Sequence, residues 1–347
     1  MNLSKEYRTE LESCNFIRTV LMLIVVLYHG ILFWNGNWFT GNPVLQAEPL
    51  GHVAAWMNTF HVYGFTLVSG YVFYHVKCIA GRYADYRKFL VNKAQRLLVP
   101  FVTVSVLWVV PIHCMFMENS AVYLVKNFML GCSPAQLWFM LMLFGVFAIM
   151  CPLTEFIRRH DAVGAMVVIG LYVVGMIAQR IIPNVFRIWT TCQYCLYFWM
   201  GMKLCQYTDN WFVVMIKKIP AFLWLAIHIL LFVAFEYLSS KNATIIVLGL
   251  ETVLKIYGAV MAFVVISRFA GSISRGSKIW SIMSKYSFSI YLFHQQIIYF
   301  VIYFLNGRVN PYLHAGLNIA MAFAGSMLIS VILMKFRVTR VLIGEKG

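Results

Sequence analysis

The sequence predicts an all-α polytopic membrane protein with about ten transmembrane helices and both termini in the cytoplasm. Three observations carry that prediction. The 347-residue chain is 61% hydrophobic and only 12% charged, against roughly a quarter charged in soluble domains. Its apolar residues gather into runs of about twenty, the length that crosses a hydrocarbon core of roughly 30 Å as a helix. Most of its 28 basic residues cluster between those runs or at their ends, unevenly on alternate sides, as the positive-inside rule requires. The net charge of +16 therefore belongs to loops at a membrane surface. Without one basic patch, no nucleic-acid partner is expected.

The ten runs are 16–34, 52–76, 97–114, 136–156, 162–179, 188–206, 220–238, 244–268, 286–305 and 314–335. The first is longer than a signal-peptide core and has no small-residue cleavage site, so it reads as a retained helix. When alternate sides are assigned, 22 basic residues fall on the side of both termini and five on the other, with Lys255 inside a run. The expected organisation is a cytoplasmic segment 1–15, one transmembrane domain over 16–335 and a cytoplasmic tail 336–347, in the inner (plasma) membrane. No long linker, low-complexity tract or internal repeat interrupts it.

Ionisable groups inside such runs cost about 2.5–3.5 kcal/mol each on insertion scales, so each asks for a reason. "FIRTVLMLIVVLYHG" carries Arg18 and His29. Eleven residues turn a helix by about 1100° and advance it by ~16 Å, which leaves both groups on nearly one face at different depths. The second run descends from the outer side, so His61 comes near the level of His29, and Ser69 and Tyr71 of "LVSGY" near that of Arg18. The eighth run brings Glu251 to the level of His29. Glu251 and Lys255 stand at i,i+4, and two readings stay open: a structural ion pair, or a carboxylate that orients His29. Lys93 and Arg96 of "RKFLVNKAQRLLVP" stand at the start of the third run. A cationic inner level below a deep histidine suits an anionic substrate reaching in from the cytoplasm, and an acyl-coenzyme A has that shape.

On the outer side, the loop "WNGNWFTGNPVLQAEPLGH" and Trp138 and Phe139 of "QLWFM" offer aromatics and amides. These suit stacking on a sugar ring, and they are equally what an interfacial aromatic belt carries. Tyr291 and His294 of "YSFSIYLFHQQ" share a face at i,i+3, for a cavity wall or for helix packing. "CQYC", Cys192 and Cys195, has no second pair and reads as buried small side chains. Cys114 and Cys132 flank a predicted outer loop, a placement open to a disulfide. No helical His-x-x-x-His or His/Cys cluster suggests a metal.

The order of these pieces resembles family 3 of the integral membrane acyltransferases, bacterial proteins that commonly O-acylate cell-surface glycans. The resemblance rests on Arg18-x10-His29, "FTLVSGYVF", "KAQRLLVPF", "LWFM" and "YSFSIYLFH", in order across residues 10 to 335. It implies His29 as the essential histidine and Arg18 as its arginine partner. It also implies Ser69, Gly70 and Tyr71 as the serine-glycine-aromatic motif, and Lys93 and Arg96 as the basic positions before the third helix. The chain departs from the pattern Asp-x-Leu-Arg-Gly at Asn15, Ile17, Arg18 and Thr19, so the acidic neighbour of the arginine is missing.

The implied activity is acyl transfer from cytoplasmic acyl-CoA, acetyl-CoA by family frequency, to a hydroxyl of a cell-surface or lipid-linked sugar. His29, Arg18 and Glu251 would be catalytic, with His29 as general base. Arg18, Ser69, Tyr71, Lys93 and Arg96 would hold the donor. His61, Trp138, Phe139, Tyr291 and His294 would meet the acceptor, and no metal is implied. The rival class is a transporter or flippase for an anionic solute or lipid-linked sugar, built on the same intramembrane groups. The absence of repeats counts against it.

Overall fold

The computed structural model describes residues 5–36, 41–116, 121–131, 135–241, 244–270 and 277–345. Among them the chain is helical, with no strand. Among the described residues eight helices are long and apolar enough to cross a membrane, and they cover eight of the ten expected runs. They are α1 (Lys5–Ile31), α4 (Tyr86–Val104, continued through a wide turn into α5, Val110–Phe116), α7 (Trp138–Arg159), α8 (Asp161–Ile181), α11 (Ala221–Ser240), α12 (Thr244–Ser267), α13 (Lys278–Leu305) and α14 (Pro311–Leu333). Shorter helices are α2 (Glu48–Asn58), α3 (His61–Tyr74), α6 (Ala121–Met129), α9 (Ile188–Gln206), α10 (Trp211–Lys218) and α15 (Arg337–Leu342).

The remaining two expected runs, 52–76 and 188–206, are the middle of the bundle. The first is not one helix. It breaks between α2 and α3, where the Trp56 and Met57 carbonyls, which accept the Thr59 and Phe60 N–H groups, also take side-chain partners. The Thr59 hydroxyl donates to Trp56 O at 2.6 Å, and His61 Nδ1 lies 2.6 Å from Met57 O. Most of α3 is buried, and it packs on α9, α12 and α1. A Cβ at Gly70 would meet the Phe198 carbonyl oxygen at 1.9 Å, and one at Gly201 would meet that of Leu67 at 1.8 Å. Only glycine lets two helix backbones approach so closely. Because α3 and α9 bury their sides against protein, they can carry polar residues. By contrast α11, with 17% of its most apolar window buried, is a peripheral helix.

Two helices start well before their apolar runs, and this matters for the site. Asp85 caps α4 by accepting the Lys88 N–H at 3.0 Å, and Ser277 caps α13 by accepting the Trp280 N–H at 3.2 Å. Lys93, Arg96 and Lys285 are therefore held on helices, not on loops.

Candidate active site

One cavity of about 330 Å³ runs through the bundle between α1, α3, α4, α7 and α13. On α1 its wall is Asn15, Arg18, Met22, Val25 and His29, a stripe of steps of three and four residues. The expected pairing of Arg18 and His29 on one face is thus realised. On α3 the stripe is His61, Phe65, Ser69 and Val72. Lys93 and Arg96 come from α4, Gln136, Trp138 and Phe139 from the start of α7, and Lys285 and Tyr291 from α13. Nine of the expected site residues therefore line one space: Arg18, His29, His61, Ser69, Lys93, Arg96, Trp138, Phe139 and Tyr291.

One end of the cavity is cationic. The Lys93 ammonium sits 4.0 Å from the Phe147 ring centroid and 5.4 Å and 5.8 Å from those of Phe89 and Tyr83. The Arg18 guanidinium lies 5.7 Å from the Phe65 ring centroid. Ring faces offset part of the cost of desolvating these cations. Among the described residues, no carboxylate forms an ion pair with Arg18, Lys93 or Arg96. Asn15, where the resembled pattern has an acid, donates from Nδ2 to Ser284 Oγ at 2.7 Å and so ties α1 to α13. At this end sequence reasoning missed Lys285 and Glu345, which also line the wall. Lys285 was hidden among the ordinary basic residues of a predicted loop, and Glu345 reaches the cavity only through the fold.

The other end is built of imidazoles and aromatic rings. His29 Nδ1 lies 2.9 Å from Val25 O, and His61 Nδ1 takes the Met57 carbonyl in the same i,i−4 way. A carbonyl oxygen only accepts, so each Nδ1 carries the hydrogen and each neutral ring keeps its lone pair at Nε2. The Tyr28 ring stands between them, 4.9 Å from the His29 centroid and 4.7 Å from that of His61. Tyr291 donates its hydroxyl to Gln136 O, and the amides of Gln136 and Gln296 exchange hydrogen bonds at 2.7 and 3.0 Å. These bonds fasten the start of α7 to α13 and set Trp138 and Phe139 at this end. Gln136 and Asn58 complete the wall and carried no signal in the sequence beyond standing next to expected elements.

Three expected residues lie elsewhere. Glu251 is off the cavity wall and closes on Lys255 at 2.5 Å, with that ammonium 5.4 Å from the Tyr63 ring centroid. Among the described residues no carboxylate bonds to His29; the Val25 carbonyl holds its Nδ1. Depth along a helix does not fix the direction in which a side chain points, which is why Glu251 matched in level and missed in position. Tyr71 follows Ser69 by two residues, a rotation of about 200°. It faces away from the cavity, donates its hydroxyl to Glu10 and packs its ring 5.2 Å from that of Phe263. His294 is fully buried behind His29 and is not on the wall.

Cys192 and Cys195 are buried in α9 with free thiols, and Cys114 is also a free thiol; Cys132 lies outside the described residues. Among the described residues no group of His, Cys, Asp and Glu is assembled to hold a metal ion.

Comparison with known proteins places this geometry. The model of a family described as an acyltransferase domain matches residues 11–335, nearly the whole chain. Neither the curated proteins nor the solved structures give a match.

Proposed function

The chain belongs to this acyltransferase family, and from that premise we propose that it moves an acetyl group from acetyl-CoA to a sugar hydroxyl of a cell-surface or lipid-linked glycan. The observation that carries the reading is the polarity of the cavity: cations that form no ion pair among the described residues at one end, and a histidine with its lone pair at Nε2 at the other. In this reading the cationic end opens to the cytoplasm of a bacterial cell, as the bias of basic residues requires. Both termini then lie on that side of the inner membrane.

Lys93, Arg96, Arg18 and Lys285 would take the donor's phosphates, since charge-assisted bonds to phosphate are the strong ones. The pantetheine arm would follow the stripe of α1 over the ~16 Å from Arg18 to His29. The acceptor would enter from the other end against Trp138, Phe139 and His61. His29 Nε2 takes the proton of the attacking hydroxyl as its oxygen bonds to the thioester carbon. The tetrahedral intermediate then collapses with cleavage of the carbon–sulfur bond. CoA leaves as thiolate and receives the proton from His29. Such a general base is worth about 10²–10⁴-fold.

The test is CoA release from candidate acyl-CoAs by the full chain in nanodiscs, with a lipid-linked sugar acceptor, wild type against His29→Ala. Release that depends on His29 supports the reading. Uptake of solute into proteoliposomes with no CoA released would favour the transport class instead.

A further inference from the structure

His294 is a fully buried titratable group that this mechanism leaves idle, and hydrogen-bond partners stand at both of its ring nitrogens. Its Nδ1 lies 2.8 Å from Tyr291 O and 3.2 Å from Ile290 O, and its Nε2 lies 3.1 Å from His29 Nδ1. Two carbonyl acceptors at Nδ1 keep the hydrogen there in the neutral ring. Nε2 is then an acceptor only, and the atom it faces is the Nδ1–H of His29. The ring has no freedom to choose otherwise. It is fully buried, and its helix is fastened to α7 by the Gln136–Gln296 pair and the Tyr291 hydroxyl.

We propose that His294 is a positioning residue: its Nε2 accepts from His29 Nδ1–H, which holds the His29 hydrogen at Nδ1 and leaves Nε2 as the base. The inference rests on the reading of His29 as that base. It assigns to a neutral imidazole and the Val25 carbonyl the orienting task that a carboxylate performs in other histidine-based sites. It also gives the His29 imidazolium, formed when Nε2 takes the acceptor's proton, two acceptors for its Nδ1–H with no second proton transfer. A carboxylate there would add a buried negative charge beside a donor that is itself anionic. Two neutral acceptors avoid this.

The experiment uses the full chain in nanodiscs with histidine ¹⁵N labelling, the His29 signals being identified by their loss in His29→Ala. The expected wild-type spectrum has His29 protonated at Nδ1 and bare at Nε2 in its neutral form. His294→Phe keeps the ring and removes the acceptor. It should lower kcat by about 10–100-fold, the range of one hydrogen bond to a charged group, leave the donor KM within twofold and shift the His29 Nδ1–H signal, the Val25 carbonyl being its remaining acceptor. His294→Gln, whose amide oxygen can accept from His29, should recover most of kcat and the wild-type His29 Nδ1–H signal. Hydrogen on His29 Nε2 in wild type overturns the proposal, a result that needs no variant to fold. So does a His294→Phe protein with wild-type kcat and an unchanged His29 spectrum. Full turnover by His29→Ala would instead remove the base reading itself, so the two failures are distinguishable.

Discussion

Charge enters the membrane-spanning helices in two ways, and the contrast between them separates the site from the scaffold. On α12, Glu251 and Lys255 close on each other at 2.5 Å, one turn apart, and stay off the cavity wall. On the wall, Arg18, Lys93 and Arg96 gather in no ion pair among the described residues, and His29 and His61 turn their Nδ1 atoms to backbone carbonyls. A pair that neutralises itself needs nothing from outside. Cations assembled without ion-pair partners repel one another, an arrangement that a bound anion relieves. The difference teaches that an ionisable residue in a membrane helix points to a ligand only when the fold has denied it a partner.

The contrast is most severely tested at His29. His29→Ala should lower turnover by at least about 10²-fold, the lower bound for a general base, with little change in donor affinity. A loss seen in donor KM alone would move His29 to the binding surface. Next come the cations. Arg18→Gln should raise the donor KM by about 10–100-fold, as expected for a hydrogen bond to a charged group. The exposed Arg96→Gln should raise it less, by roughly threefold to tenfold. Initial rates against donor concentration read both, and adding salt should reproduce the Arg96 effect more than the Arg18 effect because surface charges are the better screened.

The pair on α12 should behave oppositely. Glu251→Gln is expected to leave kcat/KM within about threefold. It should lower the thermal midpoint by roughly 2–4 °C, the equivalent of about 1 kcal/mol for a partly exposed pair. Replacing both partners, Glu251→Gln with Lys255→Met, should recover that midpoint, since no charge is then left alone. A thermal series in detergent with parallel turnover assays checks it, and a large loss of turnover in the single variant would return Glu251 to the catalytic group.

What the sequence made legible follows from the same physics. Positions along one helix are arithmetic, so Arg18 and His29 on a shared face are readable from spacing. Level in the membrane is also arithmetic, which is how His61 and Glu251 were matched to His29. Azimuth between helices is not, and that failure accounts for Glu251. Tyr71 is a different case, because the motif that carried it contains two residues pointing opposite ways. Helices that start on polar residues were equally illegible from hydropathy. The caps at Asp85 and Ser277 extend α4 and α13 beyond their apolar runs and put Lys93 and Lys285 on rigid walls. The packing of α3 on α9 depends on Gly70 and Gly201, glycines whose importance shows only when both helices are present.

The smallest effect is expected at Glu345, the one carboxylate among the described residues that lines the cationic end. Gly344 sets it there: its φ of 76° turns the chain after α15, and a Cβ would meet Arg96 O at 2.6 Å. Burial raises the Glu345 pKa above the ordinary carboxylate value, and Arg96 offsets that only in part. The sign follows. The carboxylate is ionised above its raised pKa, where it competes with an anionic donor for Arg96, and becomes neutral as pH falls through it. Donor KM in wild type should therefore fall by about twofold as pH drops through a range somewhat above that of a free glutamate, a shift of less than about half a kcal/mol. Glu345→Gln should hold the lower KM at every pH in that range. If Glu345→Gln instead raised the donor KM, the carboxylate would be ordering Arg96 for the donor, and the cationic end would not be a surface left open to anions.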